Sequence, residues 1–288
     1  TVRNMVGHPI EVNINSAVKG YSQRPKDSGS VRLNGGETRD IPVSVYFGHH
    51  LLDNNFDDSV ILDMDVQVKA ATSYTDQLSM ELVIRGKNAW NGDMEWLPLF
   101  LTPENESIRD LARRTALSIE GKIEPGLEKF NHAQALFHKL YELDIKYLSD
   151  PNVAFDKDDR VQFAEKTVDA GSGDCDDLVV LYASLLESVG IQTAFVEVRD
   201  PDKELAHLYL LFNSGVRAED GSLISDNEKR YIVRENNSGQ STVWIPVETT
   251  LIEENFEQAW NYAAMAYLQD GVLRNGLAEN WVKIIDHH

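Results

Sequence analysis

Residues 171–189 read Gly171-Ser172-Gly173-Asp174-Cys175-Asp176-Asp177-Leu178-Val179-Val180-Leu181-Tyr182-Ala183-Ser184-Leu185-Leu186-Glu187-Ser188-Val189. Small, turn-permitting residues end where an apolar run begins, and Gly190 follows in the usual C-terminal position. The pattern predicts a helix from about Asp174 to Val189, apolar almost all round and therefore buried. Cys175 falls in its first turn. Free backbone N–H groups and the positive end of the macrodipole favour a thiolate there, and the thiolate is the nucleophilic form. The same N–H groups can bind an oxyanion. A lone cysteine is ordinarily a small buried hydrophobe, but the polar Gly-Ser-Gly-Asp and Asp-Asp flanks fit that reading poorly. Cys175 is the single cysteine of the chain. That excludes an intrachain disulfide and any multi-cysteine zinc or iron–sulfur site.

Downstream, apolar stretches predict strands at Thr193–Val198, Ala206–Phe212, Tyr231–Arg234 and Val243–Val247, then a helix over about Phe256–Leu268. His207 is the one imidazole in the second strand, placed to act as a general base. Glu248 ends the fourth strand, where a carboxylate can fix the imidazole tautomer. Taken singly, His207 reads as a core histidine and Glu248 as a solvated acid; the set of three changes that weighing. Upstream, Thr102-Pro103 predicts a helix start carrying Ile108, Leu111, Ala112, Thr115 and Ala116 on one face. A second helix is expected over about Asn131–Tyr147, and residues 149–171 read as acidic and irregular. Helices followed by antiparallel strands make this part α+β.

Towards the N-terminus the period becomes two: Ile10–Ile14, Val31–Leu33, Ile41–Val45, Ile61–Val68 and Leu78–Ile84 alternate apolar and polar residues. Turns at Lys19-Gly20, Asn34-Gly35-Gly36 and Asp53-Asn54-Asn55 separate them. The expectation is a small antiparallel β-sandwich of immunoglobulin-like type over residues 1–90, a boundary near Gly86–Gly92, and an α+β domain over 91–288. The 288 residues carry 27 Lys+Arg against 47 Asp+Glu, a formal charge of −20. So acidic a chain is repelled by phosphate backbones and anionic membranes, so no nucleic-acid partner is expected. No apolar run of about 18 residues predicts a transmembrane segment.

Three segments carry a resemblance. Gly173-Asp174-Cys175-Asp176-Asp177-Leu178 running into Leu185–Ile191, Ala206-His207-Leu208-Tyr209, and Trp244-Ile245-Pro246-Val247-Glu248-Thr249-Thr250 resemble the three motifs of the transglutaminase-like superfamily, bacterial type. Its fold is related to that of papain-like cysteine peptidases. The likeness covers roughly residues 96–268. It implies acyl transfer: Cys175 attacks an amide carbonyl, His207 protonates the leaving amine, and water or an amine releases the acyl group. Hydrolysis is the expected outcome, on a protein or peptide substrate. Glu248 stands where the superfamily usually has Asp and is one methylene longer. The resemblance also implies an upstream oxyanion donor, for which Gln162 is the candidate. The other reading is a non-catalytic scaffold for protein interaction.

No cofactor and no metal ion are expected. The acidic clusters Asp53–Asp58, Asp150–Asp159 and Asp174–Asp177 match no calcium-loop pattern and read as solvated loops. His49-His50, taken as strand neighbours, point to opposite faces. Asn236-Asn237-Ser238 has the glycosylation spacing, a pattern common by chance. The N-terminal sandwich is expected to present a substrate or partner. The acidic surface and the sandwich lean to an exported or cell-surface protein whose signal has been removed. His287-His288 reads as a tag remnant.

Overall fold

The computed structural model describes residues 1–149, 159–202, 205–236 and 239–287. Most of the Asp150–Asp159 cluster and Asn237-Ser238 lie outside the described residues. The chain divides into two compact units, Thr1–Ala89 and Trp90–His288.

The first unit is built from antiparallel sheets. Its strands are β1 (Val2–Arg3), β2 (Ile10–Val18), β3 (Lys26–Asp27), β4 (Val31–Leu33), β5 (Thr38–Arg39), β6 (Asp58–Lys69) and β7 (Ser73–Ile84). The main sheet runs β3-β2-β6-β7, with β4 also paired to β2; β1 and β5 form a separate ribbon. Alternation explains the burial of β2, which sends Ile10, Val12, Ile14 and Val18 inward. Ser16 shares that face and satisfies its hydroxyl by donating to Ser44 O at 2.7 Å. The strand expected at Ile41–Val45 does not form. Pro42 interrupts it, because proline has no N–H to give a ladder. His49–Asp53 is a 3-10 turn rather than a strand, and His50 Nε2 sits 2.8 Å from Gly20 O.

The second unit holds helices α1 (Glu106–Ser118), α2 (Glu128–Glu142), α3 (Ala164–Ala170), α4 (Cys175–Ser188) and α5 (Phe256–Ala266). Its strands are β8 (Lys146–Tyr147), β9 (Ser172–Gly173), β10 (Thr193–Asp200), β11 (Leu205–Arg217), β12 (Ile232–Glu235), β13 (Ser241–Val247) and β14 (Val282–Asp286). Five of them make one antiparallel sheet in the order β12-β13-β11-β10-β14. Both faces of this sheet are covered, which is why its strands read as nearly continuous apolar runs. Phe195, Leu208, Leu210, Phe212 and Ile245 join a cluster with α4. Val196, Tyr209, Leu211 and Trp244 join another with Ala263 and Val282, against which Trp281 packs. From Leu178 to Leu186 every residue of α4 is buried. Each large apolar side chain among them contributes about 1.5–3 kcal/mol by leaving water.

Local chemistry sets several boundaries. Asn105, not Thr102, caps α1; its Oδ1 accepts from Ser107 N at 3.0 Å and Ile108 N at 3.4 Å. Helix α2 stops at Glu142 because Asp144 turns left-handed at φ 58°. Gly190 takes φ 77° just beyond α4. The short helix α3 and the strand β14 lie where no element was expected. His287 is part of the packing: it stacks on Phe195 and sits 2.6 Å from Glu187 Oε1.

Candidate active site

Cys175 is the first residue of α4, and Asp174 caps the helix by accepting from Asp177 N at 3.3 Å. The turn before it needs glycine. A Cβ on Gly173 would lie 2.5 Å from Asp177 Cβ. Strand β8 runs beside this turn: Tyr147 pairs with Gly173, and Leu148 N donates to Gly173 O at 2.9 Å. Tyr147 therefore reaches the nucleophile's turn instead of ending a helix. The charges of Cys175, Asp174 and Glu248 act on its phenol, whose pKa is raised, with burial the largest cause.

The thiol is buried and free, and its Sγ lies 3.9 Å from Asp176 Oδ1. Burial pushes its pKa well above the ordinary value, and the charges of Asp176, Asp174 and Glu248 push in the same direction. A backbone hydrogen bond from Asp176 opposes them. The resting group at neutral pH is the thiol, where the helix end alone had suggested a thiolate. Burial, with the neighbouring carboxylates adding to it, outweighs the helix end.

His207 and Glu248 are brought together by the pairing of β11 with β13, in which Leu210 faces Val247. His207 Nε2 lies 2.6 Å from Glu248 Oε2. Glu248 Oε1 meanwhile accepts from Thr250 N at 3.1 Å and Thr250 Oγ1 at 2.7 Å. Both carboxylate oxygens are thus engaged in a side chain only 1% exposed. A carboxylate accepts, so Nε2 carries the proton and donates. Nδ1 is then the nitrogen able to take a proton. Burial lowers the His207 pKa, but the Glu248 hydrogen bond and charge outweigh it, and the net shift is upward. The imidazole is 27% exposed, so one edge meets solvent.

His207 and Cys175 do not hydrogen-bond to each other; they share the field of Glu248. Gln162 lies across from the first turn of α4. Its N donates to Asp177 Oδ1 at 2.6 Å, and its Nε2 donates to Asp177 Oδ2 and to Ser172 O at 3.5 Å. The amide donor is thus taken up inside the protein rather than open to an oxyanion.

Asp176 and Asp177 are buried, not solvated as the sequence pattern had suggested. Burial and Asp174 push Asp176 well above the usual carboxylate range. Burial, with Asp174 adding, pushes Asp177 up to about 6 against the Gln162 bonds. Asp174, Asp176 and Asp177 each offer an oxygen within 4.8 Å of the others, the one such group that could hold a cation among the described residues. Their visible work is internal: a cap, a thiol contact and a clamp on Gln162. Two aromatic residues escaped the sequence reading. Tyr147 was hidden by an overlong helix. Tyr209, two residues from His207 with ring centroids 6.3 Å apart, reads simply as core; its buried hydroxyl has no hydrogen-bond partner.

No curated protein matches the chain. A solved structure from Cytophaga hutchinsonii, described as a "Putative Cysteine Protease", covers 87% of this chain and 74% of its own at 12% identity, with a TM-score of 0.30. At that score the likeness carries no weight here. The model of the transglutaminase-like superfamily matches residues 114–249. That span runs from within α1 to just past Glu248 and takes in Cys175, His207 and Gln162, and over it the chain is similar to the transglutaminase-like superfamily.

Proposed function

We propose that the protein is a cysteine-dependent acyl-transfer enzyme acting on amide bonds of a peptide or protein, with hydrolysis as its reaction. The observation that carries this reading is the imidazole of His207, fixed by a buried carboxylate at 2.6 Å in the same field as a thiol on a helix N-terminus. His207 Nδ1 takes the thiol proton as Cys175 Sγ bonds to the substrate carbonyl carbon. The tetrahedral intermediate collapses, the C–N bond breaks, and His207 returns the proton to the leaving amine. Water then attacks the thioester while His207 takes its proton, and the thiol leaves with that proton. Glu248 keeps Nε2–H in place and stabilises the imidazolium formed in each half. N–H groups at the start of α4 are the donors in reach of an oxyanion on a Cys175 adduct. Because the resting thiol is neutral, the proton moves during attack rather than before it.

A second reading, a scaffold without turnover, is favoured by the raised thiol pKa and the occupied Gln162 amide. The two are separated with a mixture of denatured peptides as acyl donors, with and without dansylcadaverine. The enzyme reading expects new peptide termini that vanish in Cys175→Ala. Incorporation of the dansyl amine in place of cleavage moves the reaction to transamidation. Neither product, across a broad peptide set, leaves the scaffold.

A further inference from the structure

Helices α1 and α2 pack against each other and against α4. Between them lies a cleft of about 780 Å³. Its lining mixes an apolar strip, Leu111, Ile119, Ile123 and Ala135, with the polar Thr115, Ser118, Asn131 and Gln134. The Thr115 hydroxyl is turned to its own helix, donating to Leu111 O at 2.9 Å. Its rim carries three cations, Arg114, Lys122 and Lys139, with His138 beside them and Glu142 the one carboxylate among the lining residues. Cysteine, histidine and glutamate of the candidate active site are not among those residues.

The charge is the informative part. The whole chain has a formal charge of −20, yet here cations outnumber acids. Two of the three pair only with exposed carboxylates about one turn away on their own helices. Lys139 holds Glu142 at 3.0 Å. Arg114 meets only the exposed Asp110 at 3.8 Å. The side chains of Lys122 and His138 have no hydrogen bond or ion pair among the described residues. A concave site of roughly 300–1,000 Å³ with an apolar lining and a few convergent polar groups is the usual form of a small-ligand pocket.

We propose that the α1–α2 cleft binds a small amphipathic anion. An apolar body lies on Leu111, Ile119, Ile123 and Ala135, and an acidic head group sits between Arg114, Lys122 and Lys139. The two features select together. Inorganic anions gain the charge but leave the floor wet. Neutral apolar molecules cover the floor but leave the cation donors unanswered. Long-range repulsion from the rest of the acidic surface keeps such an anion from settling elsewhere.

The probe is 8-anilinonaphthalene-1-sulfonate, titrated into the folded full chain by fluorescence and calorimetry. One saturable site is expected, weakened by added salt and not displaced by inorganic sulfate. The double substitution Lys122→Gln and Lys139→Gln should weaken it about tenfold, the scale of losing two partly exposed charge contacts. Ala135→Trp fills the floor without touching charge and should also abolish the site. Circular dichroism checks that both variants stay folded. The proposal is overturned by the absence of a saturable site, by equal binding in both variants, or by equal binding of the uncharged analogue N-phenyl-1-naphthylamine.

Discussion

Glu248 is held at both oxygens, one by the Thr250 turn and one by His207. His207 can take the thiol proton only when its own Nδ1 is unprotonated. Its pKa is raised above 6.5, so thiol acylation should rise with pH through a midpoint above 6.5. Glu248→Gln removes both upward causes and leaves burial, which lowers; the midpoint should fall below the wild-type one. A pH profile of p-nitrophenyl acetate acylation in both proteins reads this directly, and an unmoved midpoint would remove Glu248 from the pair. The same shift has a stability consequence: protonated His207 stabilises the fold below pH 6.5, and that contribution is lost as pH rises through the raised value. Asp177 runs the same way although it is an acid. Its folded pKa is about 6 against 3.8, so its proton supports the fold below 3.8 and the support fades as pH rises through 6. Wild-type stability should therefore fall between pH 5 and pH 8, and Asp177→Asn, which removes the titrating group, should flatten that fall. Urea unfolding of both proteins at the two pH values would show it, and an equal fall in both would contradict it.

At the scale of elements, periodicity revealed what burial enforces. α4, β2, β6, β10, β11 and β13 were legible because one face or all of each is apolar. The misses have separate causes. Pro42 sits in an alternating run and removes the donor a strand needs. Asn105 outcompetes Thr102 as a cap because its Oδ1 reaches two backbone N–H groups. Asp144 ends α2 by turning left-handed, which sequence spacing does not show, and so Tyr147 was placed on a helix. Of the candidate site, the pairing of His207 with Glu248 was legible from residue types in order. The protonation of the thiol was not, because it depends on how deeply the fold buries Cys175 and on three carboxylates converging in space. Nor was the Gln162–Asp177 clamp, which joins α4 to the segment before α3.

At the scale of the molecule, the two units have their own cores. Ile10, Val12, Ile14 and Leu33 form one cluster of the first unit, and Leu181 sits in the large cluster of the second. We expect scanning calorimetry of the full chain to resolve two transitions. Leu181→Ala, costing about 2–5 kcal/mol, should lower only one midpoint, and Ile14→Ala only the other. A single transition moved by both substitutions would show one cooperative body instead.

The claim on which the rest depends is a covalent one: Cys175 carries an acyl group, and His207 puts it there. Intact-mass spectrometry after mixing with p-nitrophenyl acetate tests it most directly. The wild type should gain one acetyl group on Cys175 and then lose it. His207→Ala should gain it more slowly by about 10²–10⁴-fold, the usual worth of a general base. Acetylation of Cys175 at the same rate in both proteins, or no thioester at all, would contradict the account.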